Sequence, residues 1–191
     1  MPKAEGAFSR TPPTVYDTTL GWRYPNPRLA ARFELISMGE TAENVAKKHG
    51  ISREDQDAFA LESHKRATRA WDEGAFAAEI VPVTVPQAKG EPVSFARDES
   101  VRKDASIESL AKLRPVFSKT GSVTAGNSSP INDGAAGLLL VSEAVLRESG
   151  REPLARVVAT KTAGVDPNFM GEGPIPAVRG LLQRTGKRVS D

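Results

Sequence analysis

The sequence predicts an α/β protein, with a mainly helical lid region over residues 1–131 followed by incomplete layered α/β elements. Two observations predict this class. Between Thr41 and Leu113 the chain carries helical stretches with capping residues, whereas after Asn132 strand-like and helix-like stretches alternate. This alternation is typical of a sheet with a crossover connection. Because the sequence supplies only two clear strands there, we expect an incomplete sheet.

The first thirty residues are predicted to form an extended arm, because they are rich in Pro and Arg and follow neither a helical nor a strand period. Trp22 and Tyr24 are the candidate anchors of this arm. They could pack against a second subunit or against the same chain, and the sequence leaves both alternatives open.

End signals predict the first two helices. Thr41 can cap a short helix that ends near residue 49, and Gly50 can adopt the left-handed conformation that stops it. Ser52 and Asp55 form a capping pair that opens a longer helix over residues 52–73. One stripe of the longer helix is predicted to face the core, and it consists of Phe59, Ser63, Ala67, Ala70 and Trp71.

The segment after this helix is predicted to contain little regular structure. Residues 79–85 are rich in β-branched residues, contain Pro82 and are followed by Pro86, which indicates an edge strand. Residues 88–103 are charged and rich in turn formers, so they are expected to form a loop or a weak hairpin. Residues 106–113 are then predicted to form one more helix.

The last third of the chain supplies the α/β pattern. Residues 134–141 are small and apolar without alternation, as in a strand buried on both faces, and residues 155–163 are a second β-branched strand. Ser142 can cap a helix between them that ends at Gly150. A final helix is predicted over residues 175–185, after Pro174.

Composition excludes several classes of protein. The hydrophobic content of 39% and the charged content of 26% are those of an ordinary globular chain, and a net charge of +2 does not indicate a nucleic-acid binder. No apolar run approaches the roughly eighteen residues of a membrane span and no signal core is found, so a cytoplasmic location is expected. With no cysteine and only His49 and His64, which are expected on the solvated surface, neither a disulfide nor a metal site is predicted.

A series of segments stands in the order and spacing of one enzyme family. They are DTTLGWRYPNP (17–27), MGETAENVAKKHGISREDQDAFALESHKRA (38–67), EIVPV (79–83), LRPVF (113–117), VTAGNSSPINDGAAGLLL (123–140) and GVDPNFMGEGPIPA (164–177). Together they resemble the thiolases, which transfer an acyl group between a 3-ketoacyl-CoA and coenzyme A. The opening GWRYPNP is most similar to thiolases that cleave 3-oxoadipyl-CoA.

The resemblance implies a division of the chain and a gap in its chemistry. Residues 1–131 match the loop or lid domain with its N-terminal arm, residues 132–152 the last elements of the N-terminal α/β half, and residues 153–191 the start of the C-terminal half. Thiolases use a cysteine nucleophile, a second cysteine as acid and base, and histidine and asparagine at the oxyanion holes. Those motifs are expected before residue 1 and after residue 191, so no catalytic residue is assigned here.

The resemblance implies instead that the chain carries the coenzyme A side of the site. By motif position, Ser129 matches the serine that hydrogen-bonds the pantetheine amide, with Ala125 and Ile131 beside it, and Phe117 matches an aromatic wall against the ligand. The remaining implied contacts are methionines lining the thioester pocket, Met38 and Met170, and residues near the nucleotide end, Arg102 and Ser109. Coenzyme A is then a substrate, with no separate cofactor.

The glycines around this run allow two interpretations. Small residues let backbone approach a narrow ligand such as a pantetheine arm, and they also form structural turns that bind nothing. The chain departs from the family at two positions: Pro130 removes a backbone donor where many members have glycine, and Ser37 stands where some members have histidine.

Two hypotheses of function follow. The first is a thiolase-family acyltransferase segment that binds acyl-CoA or coenzyme A, forms a homo-oligomer and is inactive alone. The second is a non-catalytic acyl-CoA-binding or interaction module that works with a partner supplying the catalytic cysteine. Neither hypothesis involves nucleic acid or a membrane.

Overall fold

The computed structural model describes residues 2–3, 14–15, 21–22 and 25–191, and it divides the chain into two compact units. One unit is Ser37–Pro130, and the other combines residues 131–191 with the described residues before Ser37. Tyr24 lies outside the described residues.

The N-terminal part contains two short paired strands and one turn of helix. Strand β1 (Pro2–Lys3) pairs antiparallel with β2 (Thr14–Val15), and helix α1 covers Pro27–Ala30. The Trp22 indole N–H donates a hydrogen bond of 2.9 Å to the Ile36 carbonyl. Trp22 thus has a partner in its own chain, which is one of the two alternatives for the arm, while its role as an interface anchor stays a prediction.

Helix α2 covers Met38–His49, and its N-cap, Ser37, lies four residues before the predicted cap at Thr41. The Thr41 cap is therefore wrong. Ser37 and Glu40 form the capping box, in which each side chain accepts from the backbone N–H of the other, and Thr41 Oγ1 donates to the Met38 carbonyl instead. The predicted stop at Gly50 is confirmed, because its φ is 63°.

Helix α3 covers Arg53–Asp72 and opens with the predicted capping box of Ser52 and Asp55. Its predicted core stripe is wrong at Phe59, which is 80% exposed, and at Ser63, which is exposed as well, whereas Ala67, Ala70 and Trp71 are partly buried. The buried residue of this helix is Asp57, with 3% exposure. Hydrogen bonds from Arg53 and Asn127 compensate the burial of this carboxylate.

A β-hairpin follows, and its first strand lies within the predicted edge strand of residues 79–85 and its second within residues 88–103. Strand β3 (Val83–Val85) pairs antiparallel with β4 (Val93–Phe95), with Thr84 opposite Ser94. Helix α4 then covers Ile107–Ala111, with Ser106 as its N-cap. It lies within the predicted range of residues 106–113 and is shorter.

The interior of the Ser37–Pro130 unit lies where α2, α4 and the glycine-rich run approach each other. The buried apolar residues in the described part of the chain are Ala46 of α2, Leu110 of α4 and Val123 of the run. Thr124, next to Val123, has no exposed surface. The run is thus fixed at its start by burial, and the residues that follow Thr124 emerge toward solvent.

The other unit has helices where they are predicted but lacks the predicted strands. Helix α5 covers Glu143–Ser149 with Ser142 and Gly150 as caps, a 3₁₀ helix covers Pro167–Glu172, and α6 covers Pro174–Thr185. Residues 134–141 and 155–163 form no strand. A strand needs a neighbour that pairs with its N–H and C=O groups, and no segment among the described residues pairs with either run.

Candidate functional site

The glycine-rich run begins in a tight loop whose two ends are hydrogen-bonded to each other. Pro115 and Thr124 form an isolated antiparallel bridge, and the Val116 N–H donates to the Val123 carbonyl at 3.0 Å. Asn127 braces the loop from inside, because its Oδ1 accepts from the Thr124 N–H at 2.7 Å and its Nδ2 donates to the Ser122 carbonyl at 3.0 Å. The backbone is thereby ordered up to the two serines.

The two adjacent serines have different roles in this loop. Ser128 Oγ donates to the Thr124 carbonyl at 2.7 Å, so its hydroxyl is used to hold the turn. Ser129 is exposed, and its hydroxyl forms no hydrogen bond with any described residue. Ala125, on the same loop, is exposed as well. The hydroxyl that the resemblance singles out is therefore accessible to solvent.

Met38, Gly39 and Phe117 form a second part of the same unit. The Phe117 ring packs so closely on the first turn of α2 that a Cβ on Gly39 would overlap its Cγ, Cδ2 and Cε2 atoms. Met38, the neighbour of Gly39, is 74% exposed, and Phe117 is 39% exposed. The ring thus lies against Gly39, and Met38 is an exposed residue of the same helical turn.

Arg102 lines a cavity of about 430 Å³ beside α3. Its backbone N–H donates to His64 Nδ1 at 3.3 Å, so His64 is half-buried and bonded rather than solvated as predicted. Lys103 Nζ lies 2.6 Å from Asp72 Oδ1, and this hydrogen bond holds the pKa of Asp72 below its ordinary value. The remaining charged residues of the lining are Lys65, Arg69 and Glu73. Cations outnumber anions in this lining, so the cavity favours an anionic group.

The other predicted contacts are less closely grouped. The Ser109 hydroxyl accepts from the Ser106 N–H at 3.0 Å and donates to the Ser106 carbonyl at 2.9 Å, so it serves the cap of α4. Ser109 is not part of the cavity that Arg102 lines. Ile131 and Met170, which are 67% and 47% exposed, belong to the unit that contains residues 131–191.

Two acidic residues that the sequence analysis missed hold the site together. Glu43 of α2 binds the backbone of Ser122 and Val123, and Asp57 of α3 accepts from Asn127 Nδ2 at 3.0 Å. Asp57 also pairs with Arg53 at 2.7 Å. The sequence signals only the pair of Asp57 with Arg53, through their four-residue spacing, and this spacing is common on solvated helix faces.

The part of the chain that the structure describes contains no group of three or more His, Cys, Asp or Glu side chains that could hold a metal ion. Over the same residues, none of the helices combines the length and apolar character that crossing a bilayer requires.

Comparison with known proteins places this geometry in a family. Residues 21–144 match the family described as thiolase, N-terminal domain. The chain belongs to the thiolase family. It is 50% identical over 184 residues to a β-ketoadipyl-CoA thiolase of Acinetobacter baylyi, covering 96% of this chain and 46% of that protein. It is 48% identical over 191 residues to a 3-oxoadipyl-CoA/3-oxo-5,6-dehydrosuberyl-CoA thiolase of Escherichia coli, covering all of this chain and 47% of that protein.

Solved structures agree with the family assignment. The chain is similar to the crystal structure of the Bacillus anthracis acetyl-CoA acetyltransferase, with a TM-score of 0.74 and 46% identity over 83% of this chain and 40% of the other. The resemblance seen in the sequence segments is thus confirmed. This thiolase chain spans about half the length of the curated relatives that it matches.

Proposed function

We propose that this thiolase chain forms the coenzyme A-binding side of an acyl-transfer site. The ligand class is a coenzyme A thioester of a 3-oxo acid, and 3-oxoadipyl-CoA is the first to test, because relatives about 50% identical are named for it. Since none of the 191 residues is cysteine, the cysteine thiolate that accepts the acyl group is not among them. The same proposal assigns residues 1–131 to the loop or lid domain, residues 132–152 to the end of the N-terminal α/β half and residues 153–191 to the start of the C-terminal half.

One observation carries this proposal: Ser129 presents an exposed hydroxyl with no partner among the described residues, in a loop where the side chains of Thr124, Asn127 and Ser128 are hydrogen-bonded. A pantetheine arm carries amides that need hydrogen-bond partners when they leave water. An ordered loop can supply such a partner at low cost, because little of its own freedom remains to be lost on binding.

Ser129→Ala is expected to weaken coenzyme A binding to the full chain by about 1 kcal/mol, the net value of one ordinary hydrogen bond. Isothermal titration of coenzyme A into the chain and the variant measures this difference. Ser63→Ala, which removes another exposed serine hydroxyl from the same unit, is the control and should bind as the unsubstituted chain does. Equal affinities for all three proteins would refute the role of Ser129.

Arg102→Ala is expected to raise the dissociation constant of coenzyme A about threefold at low ionic strength, as for an exposed ion pair. The difference should shrink as salt is added, because screening weakens the attraction between the guanidinium and a phosphate. Titrations at two salt concentrations test this. Lys89→Ala, which removes an exposed cation outside the cavity lining, is the control. A loss of affinity that does not depend on salt would contradict a phosphate contact.

A second candidate function is an acyl-CoA-binding module that associates with a separate polypeptide bearing the cysteine. The observation that favours it is the run Leu138–Leu140, whose side chains are 89%, 87% and 74% exposed. Such a contiguous apolar segment favours association. Mixing the chain with the separately expressed N-terminal part of a β-ketoadipyl-CoA thiolase tests it. A stable one-to-one complex supports the module, and two independent elution peaks refute it.

A further inference from the structure

Glu43 lies beside the start of the glycine-rich run, where its carboxylate accepts hydrogen bonds from three donors of the run. The Ser122 N–H lies 2.9 Å from both carboxylate oxygens, the Val123 N–H lies 2.8 Å from Oε1, and Ser122 Oγ lies 3.0 Å from Oε2. Glu43 and Ser122 are 79 residues apart in sequence. One side chain of α2 therefore determines where this distant loop begins.

Gly121 shows how closely the carboxylate approaches the loop. A Cβ at Gly121 would overlap Oε1 and Cδ of Glu43, so glycine lets the backbone come this near without displacing the carboxylate. On the other side, Gln56 Nε2 of α3 donates to Ser122 Oγ at 2.9 Å. The carboxylate thus fills a backbone cradle that would otherwise suit an anion, and its lone pairs are directed to the loop rather than to a ligand.

The segments that Glu43 joins are the ones that carry predicted ligand contacts. Helix α2 begins with Met38, five positions before Glu43, and the loop continues from Val123 to Ala125 and Ser129. Charge-assisted hydrogen bonds to backbone are short and about twice as strong as neutral ones, so they hold a loop more firmly. Glu43 is the residue of α2 that makes these bonds, so it links the start of the loop to that helix.

We propose that Glu43 is a positioning residue, which fixes the loop relative to α2 so that Ser129 meets the pantetheine arm of coenzyme A. This inference rests on the proposed function. Glu43 acts through Ser129 and does not touch the ligand. It therefore affects binding of the pantetheine arm and leaves binding of the nucleotide end unchanged.

A double-mutant cycle on the full chain tests this role. Glu43→Gln is expected to raise the dissociation constant of coenzyme A about fivefold, the effect of losing one ordinary hydrogen bond to the ligand. In the Glu43→Gln background, adding Ser129→Ala should change affinity little, because the serine is already misplaced. Glu54→Gln, which removes an exposed carboxylate from α3, is the matched control and should leave affinity unchanged.

A second ligand separates positioning from general loss of structure. Adenosine bisphosphate, the nucleotide end of coenzyme A without its pantetheine arm, should bind Glu43→Gln as tightly as it binds the unsubstituted chain. Strictly additive effects of the two substitutions, or equal losses for both ligands, would overturn the inference. If the unsubstituted chain does not bind coenzyme A, or if Ser129→Ala alone changes nothing, the proposed function fails instead. The two failures are therefore distinguishable.

Discussion

Asp57→Ala is expected to lower the free energy of unfolding by about 3 kcal/mol, because it breaks a buried ion pair on one side only. Asp57 is 3% exposed and accepts hydrogen bonds from Arg53 Nε at 2.7 Å and Asn127 Nδ2 at 3.0 Å. Its removal leaves a largely buried guanidinium without a counter-charge. That uncompensated charge, rather than the lost attraction, supplies most of the cost.

Urea unfolding followed by circular dichroism measures this effect as a lower midpoint with an unchanged slope. Glu62→Ala is the matched control, because Glu62 pairs with Arg66 on the same helix at the same four-residue spacing and the same 2.7 Å. The Arg66 and Glu62 side chains are 71% and 53% exposed, against 21% and 4% for Arg53 and Asp57. Little change is expected for the exposed pair. Equal shifts in both variants would show that burial of Asp57 does not matter.

Gly39→Ala is expected to destabilise the chain by about 2 kcal/mol, as overpacking of a tight contact does. Alanine would gain at most about 1 kcal/mol over glycine from helix propensity. The new methyl group, however, would overlap the Phe117 ring, and a planar ring cannot yield as the tip of a flexible chain can. The steric cost therefore exceeds the propensity gain.

The double variant Gly39→Ala/Phe117→Leu identifies the cause of this loss. If the ring is responsible, adding Gly39→Ala to a Phe117→Leu chain should cost much less than adding it to the unsubstituted chain. Gly180→Ala in α6 controls for propensity, because its methyl group would meet only the Lys161 side chain, and it should be neutral or slightly stabilising. Additive losses in the double variant would contradict the proposed contact.

Local signals predicted the helices well because capping is decided within a few residues. Ser52 with Asp55, Ser142 and Gly150 all cap helices as expected. The Thr41 cap failed although the correct signal was also local, since Ser37 and Glu40 have the spacing of a capping box. Choosing Thr41 as the cap overlooked these two residues.

Features that depend on distant partners could not be predicted in the same way. A strand at residues 134–141 requires a neighbour, and the run has no pairing partner in the described chain. The contact of Asp57 with Asn127 joins residues 70 apart, and neither residue type indicates it. For the candidate site, the family resemblance indicated Ser129, whereas the acids that order its loop became visible only through the fold.

The buried hydrogen bonds of Arg53, Asp57 and Asn127 also limit how this sequence can diverge. Arg53 donates to the Leu110 and Leu113 carbonyls as well as to Asp57, so each member of the trio satisfies partners on another segment. Changing one residue alone leaves a buried polar group unpaired, whereas replacing the set together need not. Lineages descending from this chain are therefore expected to keep the trio intact or to exchange it as a whole, with few viable single-step intermediates.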